Sequence, residues 1–99
     1  MVSDSPQIAA IKLRYQQSFS EKAEIIAAHL ASQLGDEEHG FSLQDTREML
    51  HKLAGSSGMY EYNDISSVCR SAMDRIDQKD YTALVNRLEH LKALFEQYA

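Results

Sequence analysis

The chain has 99 residues, of which 43% are hydrophobic and 25% charged, with ten Lys and Arg against fifteen Asp and Glu. This length supports one hydrophobic core, so we expect a single domain over residues 1–99 without two lobes around a catalytic cleft. The net charge of −5 argues against nucleic acid or an anionic membrane as a partner, because binding phosphates needs concentrated Lys and Arg. A protein partner is therefore expected.

A short N-terminal helix is the first predicted element. Ser5 is its expected N-cap and Pro6 its first residue, where proline's missing N–H would have no helical partner anyway. Its apolar residues recur at spacings of three and four: Ile8, Ile11, Tyr15 and Phe19.

A second helix is predicted to begin after Ser20 and to end at Gly35, a residue suited to the C′ position. The first turn of this helix is acidic, and acidic side chains are stabilised by the positive N-terminal end of a helix. Its predicted buried residues share one face: Ala23, Ile26, Ala27, Leu30 and Leu34. Residues 36–40 have no apolar period, which indicates a solvated loop.

A third helix is predicted from Ser42, with Asp45 completing a capping box. Its apolar face contains Leu43, Thr46, Leu50, Leu53 and Ser57. The segment that follows His51 includes Gly55 and Gly58, although glycine costs roughly 1 kcal/mol relative to alanine inside a helix. We expect the helix to continue, because the apolar face continues to Tyr60.

Asn63 and Asp80 are the predicted caps of a fourth and a fifth helix. The fourth carries Ile65, Val68, Cys69, Ala72 and Ile76, and the fifth carries Leu84, Val85, Leu88, Leu91, Phe95 and Tyr98. Short linkers join helices three to five, and short linkers make neighbours antiparallel. The predicted fold is all-α, an antiparallel up-down four-helix bundle with an additional short N-terminal helix against one end.

The glycine at position 55 has two interpretations. It lies one turn after His51, and because helical side chains lean toward the N-terminus, a larger residue there would cover the imidazole. Glycine would then leave His51 accessible, and a neutral imidazole is a nucleophile that can hold a transferred group covalently. Alternatively, Gly55, Ser56 and Ser57 are small because a neighbouring helix packs closely, and His51 is an ordinary surface residue.

These residues resemble the phosphoacceptor motif of the histidine-containing phosphotransfer (Hpt) domain of two-component phosphorelays. The motif residues are His51, Leu53, Gly55, Ser56 and Ser57. The similarity extends to Tyr60, Tyr62, Ile65 and Cys69. Its specific part covers roughly residues 47–76, and the other helices agree in number and order with the family's bundle.

The resemblance implies that His51 is phosphorylated, on the outward Nε2, and that Gly55 keeps it accessible. Many members have Lys three residues after the histidine, where this chain has Ala54. Charge compensation would then come from Lys52 or Arg47, the nearest cations in sequence, unless both are merely solvated. Glycine is also frequent where Glu61 stands, which leaves the geometry of that turn open.

The implied partner is a response-regulator receiver domain, with a sensor or hybrid histidine kinase upstream. The receiver would bring the phospho-accepting Asp and the Mg²⁺ site, so no cofactor is expected on this chain. It has no Gly-rich nucleotide loop and no acidic Mg²⁺ cluster. We therefore expect a phosphoryl carrier rather than an enzyme, with neither autokinase activity nor an ATP site.

Several other residues are of types that form functional sites. Met59 is a candidate docking residue beside the histidine, with a place in the core as the alternative. Met73 is interpreted as packing and Cys69 as a small buried hydrophobe. No metal site is expected, because His29, His39 and His90 form no His-x-x-x-His pair. His29 and His90 are predicted on helix flanks, and His39 in the acidic loop.

The lone cysteine and the absence of a signal peptide or an apolar run of about 20 residues predict a cytoplasmic protein. A helical adaptor that binds a receiver or kinase without being phosphorylated is the alternative function, and Ala54 is the feature that supports it. A metal-binding or haem-binding bundle is a third hypothesis.

Overall fold

A computed structural model of the chain describes residues 6–35 and 40–99. Within them the chain forms five helices and no strand: α1 Pro6–Gln17, α2 Phe19–Gln33, α3 Leu43–Met59, α4 Asn63–Asp77 and α5 Tyr81–Tyr98. The expected cap Ser5 and most of the predicted acidic loop, with His39, lie outside the described residues. The all-α prediction with a short additional N-terminal helix is confirmed.

The four longer helices enclose one core. α3 packs along α4, α4 along α5, and α5 along α2, whereas α2 and α3 meet less closely. The large side chains that are fully buried come from all four helices: Phe19, Ile26, Leu50, Ile65, Leu84, Leu88, Leu91 and Phe95. Apolar burial of this kind contributes roughly 25 cal/mol per Å² and holds the bundle together.

The first two helices are almost continuous, so the predicted start at Ser20 is wrong. Ser18 is the only residue between them, and its N–H and Oγ both donate to the carbonyl of Tyr15, at 3.0 and 2.6 Å. The N–H of Lys22 in turn donates to the Ser18 carbonyl. Helical hydrogen bonding therefore runs through Ser18, and Phe19, assigned to the first helix, begins α2 instead.

The predicted helix ends are partly confirmed. Ser42 and Asp45 form the capping box of α3, with both reciprocal bonds at 3.0 Å, and Asp80 accepts from the N–H of Ala83 at the start of α5. Gly35 has the positive φ of +94° expected after α2. Asn63, however, is the first residue of α4 rather than its cap. Tyr62 occupies the N-cap position and makes no side-chain cap bond.

α1 closes one end of the bundle, as predicted. The Tyr15 hydroxyl lies 2.7 Å from Ser56 Oγ and 3.1 Å from Ser57 Oγ, at the C-terminal part of α3. The Tyr62 hydroxyl donates to Gln16 Oε1 at 2.7 Å. These tyrosine hydroxyls are therefore bound within the protein rather than directed to water, and they fix α1 onto the segment that follows His51.

The turn between α3 and α4 departs from the resembled family at Glu61. This residue has a φ of +68°, in the left-handed region that glycine adopts freely and other L residues adopt at a cost of roughly 1–2 kcal/mol. The N–H of Tyr62 still donates to the Ser57 carbonyl at 2.8 Å. The tight turn is therefore kept without a glycine.

Candidate functional site

His51 lies in the middle of α3 with its side chain exposed, while Leu50 and Leu53 on the other side of the helix are buried. It lines an open recess of about 230 Å³ on the outer surface of α3. The recess is formed by Gln44, Arg47, Glu48, His51 and Lys52. The structure thus brings the predicted phosphoacceptor together with both predicted cations.

The glycine one turn later is not required by packing. Gly55 is exposed, and a Cβ placed on it would meet nothing within 4 Å. The close-packing interpretation is therefore wrong for Gly55. The interpretation is right for Ser57, which is fully buried. A Cβ on Gly58 would make an ordinary contact with Ser66 Oγ at 3.4 Å. Ser56 is half-buried and bound to Tyr15.

The two cations of the recess differ in their partners. Arg47 makes a bidentate pair with Asp77, the last residue of α4, with Nε–Oδ1 at 2.9 Å and Nη2–Oδ2 at 3.0 Å. Lys52 is exposed and has no ion pair within residues 6–35 and 40–99. The interpretation of Arg47 as merely solvated is therefore wrong, because its charge is already matched by a carboxylate.

A second surface feature continues from the recess, a groove of about 470 Å³ between α2 and α3. Apolar atoms provide most of its lining surface. Glu48 and Lys52 belong to both the groove and the recess. The groove residues are Lys22, Ile25, His29, Phe41, Asp45, Glu48, Met49, Lys52 and Leu53. The groove lies between α2 and α3, which pack less closely than α3 with α4, α4 with α5 or α5 with α2.

His29, predicted on the flank of its helix, lies in the wall of this groove and is buried. Only 4% of it is exposed, its Nδ1 lies 2.8 Å from Thr46 Oγ1, and its ring stacks on Phe41 at 4.0 Å. Burial lowers the pKa of His29 below its ordinary value of 6.5, with the charge of Asp45 opposing the shift. His90 is exposed on α5.

This buried histidine makes stability dependent on pH. The pKa of His29 is lower in the folded protein than in the unfolded chain, so the unfolded chain takes up the proton first as the pH falls. Protonation of His29 therefore leaves the free energy of unfolding unchanged above about pH 6.5 and lowers it below that pH. We expect the free energy of unfolding to fall by at most about 1.4 kcal/mol per pH unit from this group. Urea denaturation from about pH 7.5 to about pH 5 measures it. An equally steep profile in His29→Gln would contradict the assignment.

Three further predictions concern residues near the motif. Met59 is 73% exposed, so the core interpretation is wrong and its docking role stays a prediction. Met73 packs against the core, and Cys69 is fully buried, both as predicted. Burial raises the pKa of the Cys69 thiol to about 12, which keeps it protonated and unreactive near neutral pH.

The family model of the Hpt domain matches residues 14–99. The chain belongs to the Hpt domain family. Hpt domains carry phosphoryl groups on histidine in two-component phosphorelays and are not kinases. Comparison with curated proteins found no match, and neither did comparison with solved structures.

None of the helices described for this Hpt domain combines the length and the apolar composition that a bilayer-spanning segment needs. The described residues bring no three His, Cys, Asp or Glu side chains together in a metal-binding arrangement.

Sequence reasoning missed two features of the Hpt domain's site. Asp77 is 30 positions from its partner Arg47, and no local pattern in α4 indicates that its carboxylate faces α3. The burial of His29 was also missed, although its spacing of three from Ile26 placed it beside the buried face of α2. Only the position of α3 decides that this flank is covered.

Proposed function

We propose that this Hpt domain accepts a phosphoryl group on His51 and exchanges it with the aspartate of a response-regulator receiver domain. The observation that carries the proposal is the accessibility of His51. It stands exposed in an open recess, and the next turn of the helix is bare at Gly55 for no packing reason. An in-line approach needs this kind of unobstructed histidine.

The proposed step balances as a simple displacement. The lone pair on Nε2 of neutral His51 forms the new N–P bond while the acyl-phosphate P–O bond of the receiver breaks. The receiver's aspartate leaves as a carboxylate with that electron pair, and the imidazole keeps its proton on Nδ1. The reverse reaction regenerates the phosphoaspartate, so the domain stores and returns the group without a nucleotide.

Arg47 and Lys52 support this proposal electrostatically. Ala54 provides no charge, whereas Arg47 and Lys52 line the recess together with His51, which supports their proposed role opposite the added phosphoryl oxygens. Mg²⁺ is proposed on the receiver, and a sensor or hybrid histidine kinase is proposed as the upstream donor to the relay. The cytoplasm is the proposed compartment.

The receiver would cover the recess and the surfaces that flank it. Met59 is exposed one turn beyond Gly55 and lines a second recess with it. On the other side, the groove between α2 and α3 exposes Ile25 and Phe41 and shares Lys52 with the recess. Apolar residues beside a polar centre are the usual composition of a protein-protein contact.

Phosphotransfer from a receiver tests the proposal. A panel of purified receiver domains, each phosphorylated with acetyl phosphate and freed of it, is mixed with this Hpt domain and Mg²⁺. The expected product is a phosphoprotein that is labile in acid and stable in base, as phosphohistidine is. Binding of a receiver without labelling would instead support the adaptor function, and neither binding nor labelling across the panel would contradict both.

The role of Gly55 gives a prediction that separates access from stability. Gly55→Ala is expected to raise the free energy of unfolding by about 0.5–1 kcal/mol, because alanine is the better helix former and its methyl meets nothing. Its transfer rate should stay within about twofold of wild type. Gly55→Gln should fold equally well but transfer at least about tenfold more slowly, because its side chain leans over His51.

The alanine variant is the matched control for this pair, since both variants remove the glycine and only one adds length. Phosphotransfer reactions quenched at successive times give the transfer rates, and urea denaturation gives the free energies of unfolding. Unchanged transfer in Gly55→Gln would show that access to His51 does not depend on this position.

A further inference from the structure

The bidentate pair between Arg47 and Asp77 joins the proposed phosphoacceptor site to the end of α4. Arg47 precedes His51 by one helical turn, so the two side chains are neighbours on α3 and line the same recess. Asp77 uses both carboxylate oxygens on Arg47. One cation of the recess is therefore already occupied by an anion when His51 is unmodified.

The stability of α4 gives no reason for an aspartate at this position. Asp77 is the last residue of the helix, where the unsatisfied carbonyls repel a carboxylate and favour a cation. What the carboxylate gains is its contact with Arg47, whose hydrogen bonds lower the pKa of Asp77 below its ordinary value. The contact between the helices, rather than α4 itself, accounts for this residue.

The pair between Arg47 and Asp77 is also exposed to solvent and can exchange partners. The Arg47 and Asp77 side chains are 40% and 49% exposed, and ion pairs at such exposure are held weakly. Asp77 occupies Nε and one N–H of Nη2, which leaves the other guanidinium donors of Arg47 unused by this contact. A phosphoryl group brings about two negative charges and three acceptor oxygens, more than one carboxylate offers.

We propose that Asp77 competes with the phosphoryl group on His51 for Arg47, and so limits how strongly the domain retains that group. In the unmodified protein Arg47 is bound to Asp77. After phosphorylation its guanidinium moves from the carboxylate to the phosphoryl oxygens, and Asp77 is left to solvent. No covalent bond changes in this exchange. The inference rests on the proposed function, because it concerns the same histidine.

The test is a double-mutant cycle on the phosphoryl equilibrium between this domain and a receiver. Asp77→Asn keeps the shape and removes the charge, and it should shift the equilibrium toward phosphorylated His51 by roughly two- to fivefold. Arg47→Gln should shift it the other way by a similar factor. In the Arg47→Gln background, Asp77→Asn should not change the equilibrium, because the guanidinium for which Asp77 and the phosphoryl group compete is missing.

Asp74→Asn is the matched control, since Asp74 is an exposed carboxylate one turn earlier on α4 whose partner is Arg75. It should shift the equilibrium by less than about twofold. A shift by Asp77→Asn that persists without Arg47, or that Asp74→Asn reproduces, would overturn the proposal in favour of a general field effect. No shift from Asp77→Asn would overturn it as well.

A second measurement keeps the inference separate from the relay. Phosphoramidate phosphorylates accessible histidines chemically, so His51 can be modified without a receiver. The Nε–H resonance of Arg47 in ¹H–¹⁵N spectra should then move on phosphorylation in the wild type. In Asp77→Asn it should start from a different position, because the carboxylate partner is missing, and reach a similar final position. An unmoved resonance on phosphorylated protein overturns the inference, whereas failure of receiver transfer alone overturns only the proposed function.

Discussion

His51→Gln is expected to reduce phosphoryl transfer from a receiver by at least about 100-fold, to the limit of detection, because an amide nitrogen is not a nucleophile toward phosphorus. Folding should be unaffected. His51 is exposed, and substitutions at exposed positions away from special features usually change stability by less than about 0.5 kcal/mol. Gel autoradiography detects the acid-labile label. If the variant still carried that label, another residue would be the acceptor.

The matched control for this variant is His90→Gln. His90 is also exposed, but it lies on α5, whereas the recess is formed by residues of α3. Its replacement should leave the amount of label and the rate of transfer unchanged. A parallel loss of label in both variants would indicate that the assay reports on general stability or on nonspecific labelling rather than on one imidazole.

Phe19→Ala is expected to lower the free energy of unfolding by about 3–5 kcal/mol, a large part of the total for a domain of this size. Phe19 is fully buried, and its ring meets four others: Phe95 at 4.9 Å, Tyr62 at 5.0 Å, Tyr15 at 5.3 Å and Tyr98 at 5.9 Å. Truncation leaves a cavity that these rings cannot close together, since they are held separately by α1, by α5 and by the turn before α4. Urea denaturation measures the loss.

Leu13→Ala provides the control, because Leu13 on α1 is 56% exposed. Its effect should stay within about 0.5 kcal/mol. Phosphotransfer by folded Phe19→Ala should remain close to that of wild type, because the ring cluster lies at the end of the bundle where α1 packs, away from the recess around His51. A small stability loss would mean that the cluster repacks around the missing ring.

The neighbourhood of His51 along its own helix could be predicted from the sequence. The capping box at Ser42 fixes where α3 begins, and the apolar face through Leu50 and Leu53 fixes which side is buried. His51 therefore had to face outward, with Gly55 one turn away. These relations depend only on the geometry of a single helix, which the helical period specifies.

The errors fall where two elements meet. Ser18, rather than Ser20, separates α1 from α2, because a serine can bond back to a carbonyl as readily as it caps a helix. Leu34 was assigned to the buried face of α2 but lies beyond the helix and is 68% exposed. Local residue preference does not resolve such boundaries, since competing hydrogen bonds of similar energy decide them.

The sequence by itself determined five helices, an all-α bundle and an outward histidine beside a glycine, because each follows from spacings within one helix. Only the tertiary structure decided that Arg47 is bound to Asp77, that His29 is buried against Thr46, and that a groove opens between α2 and α3. These depend on the register and rotation of one helix against another. Many side chains set that relation jointly, and no single stretch of sequence contains it.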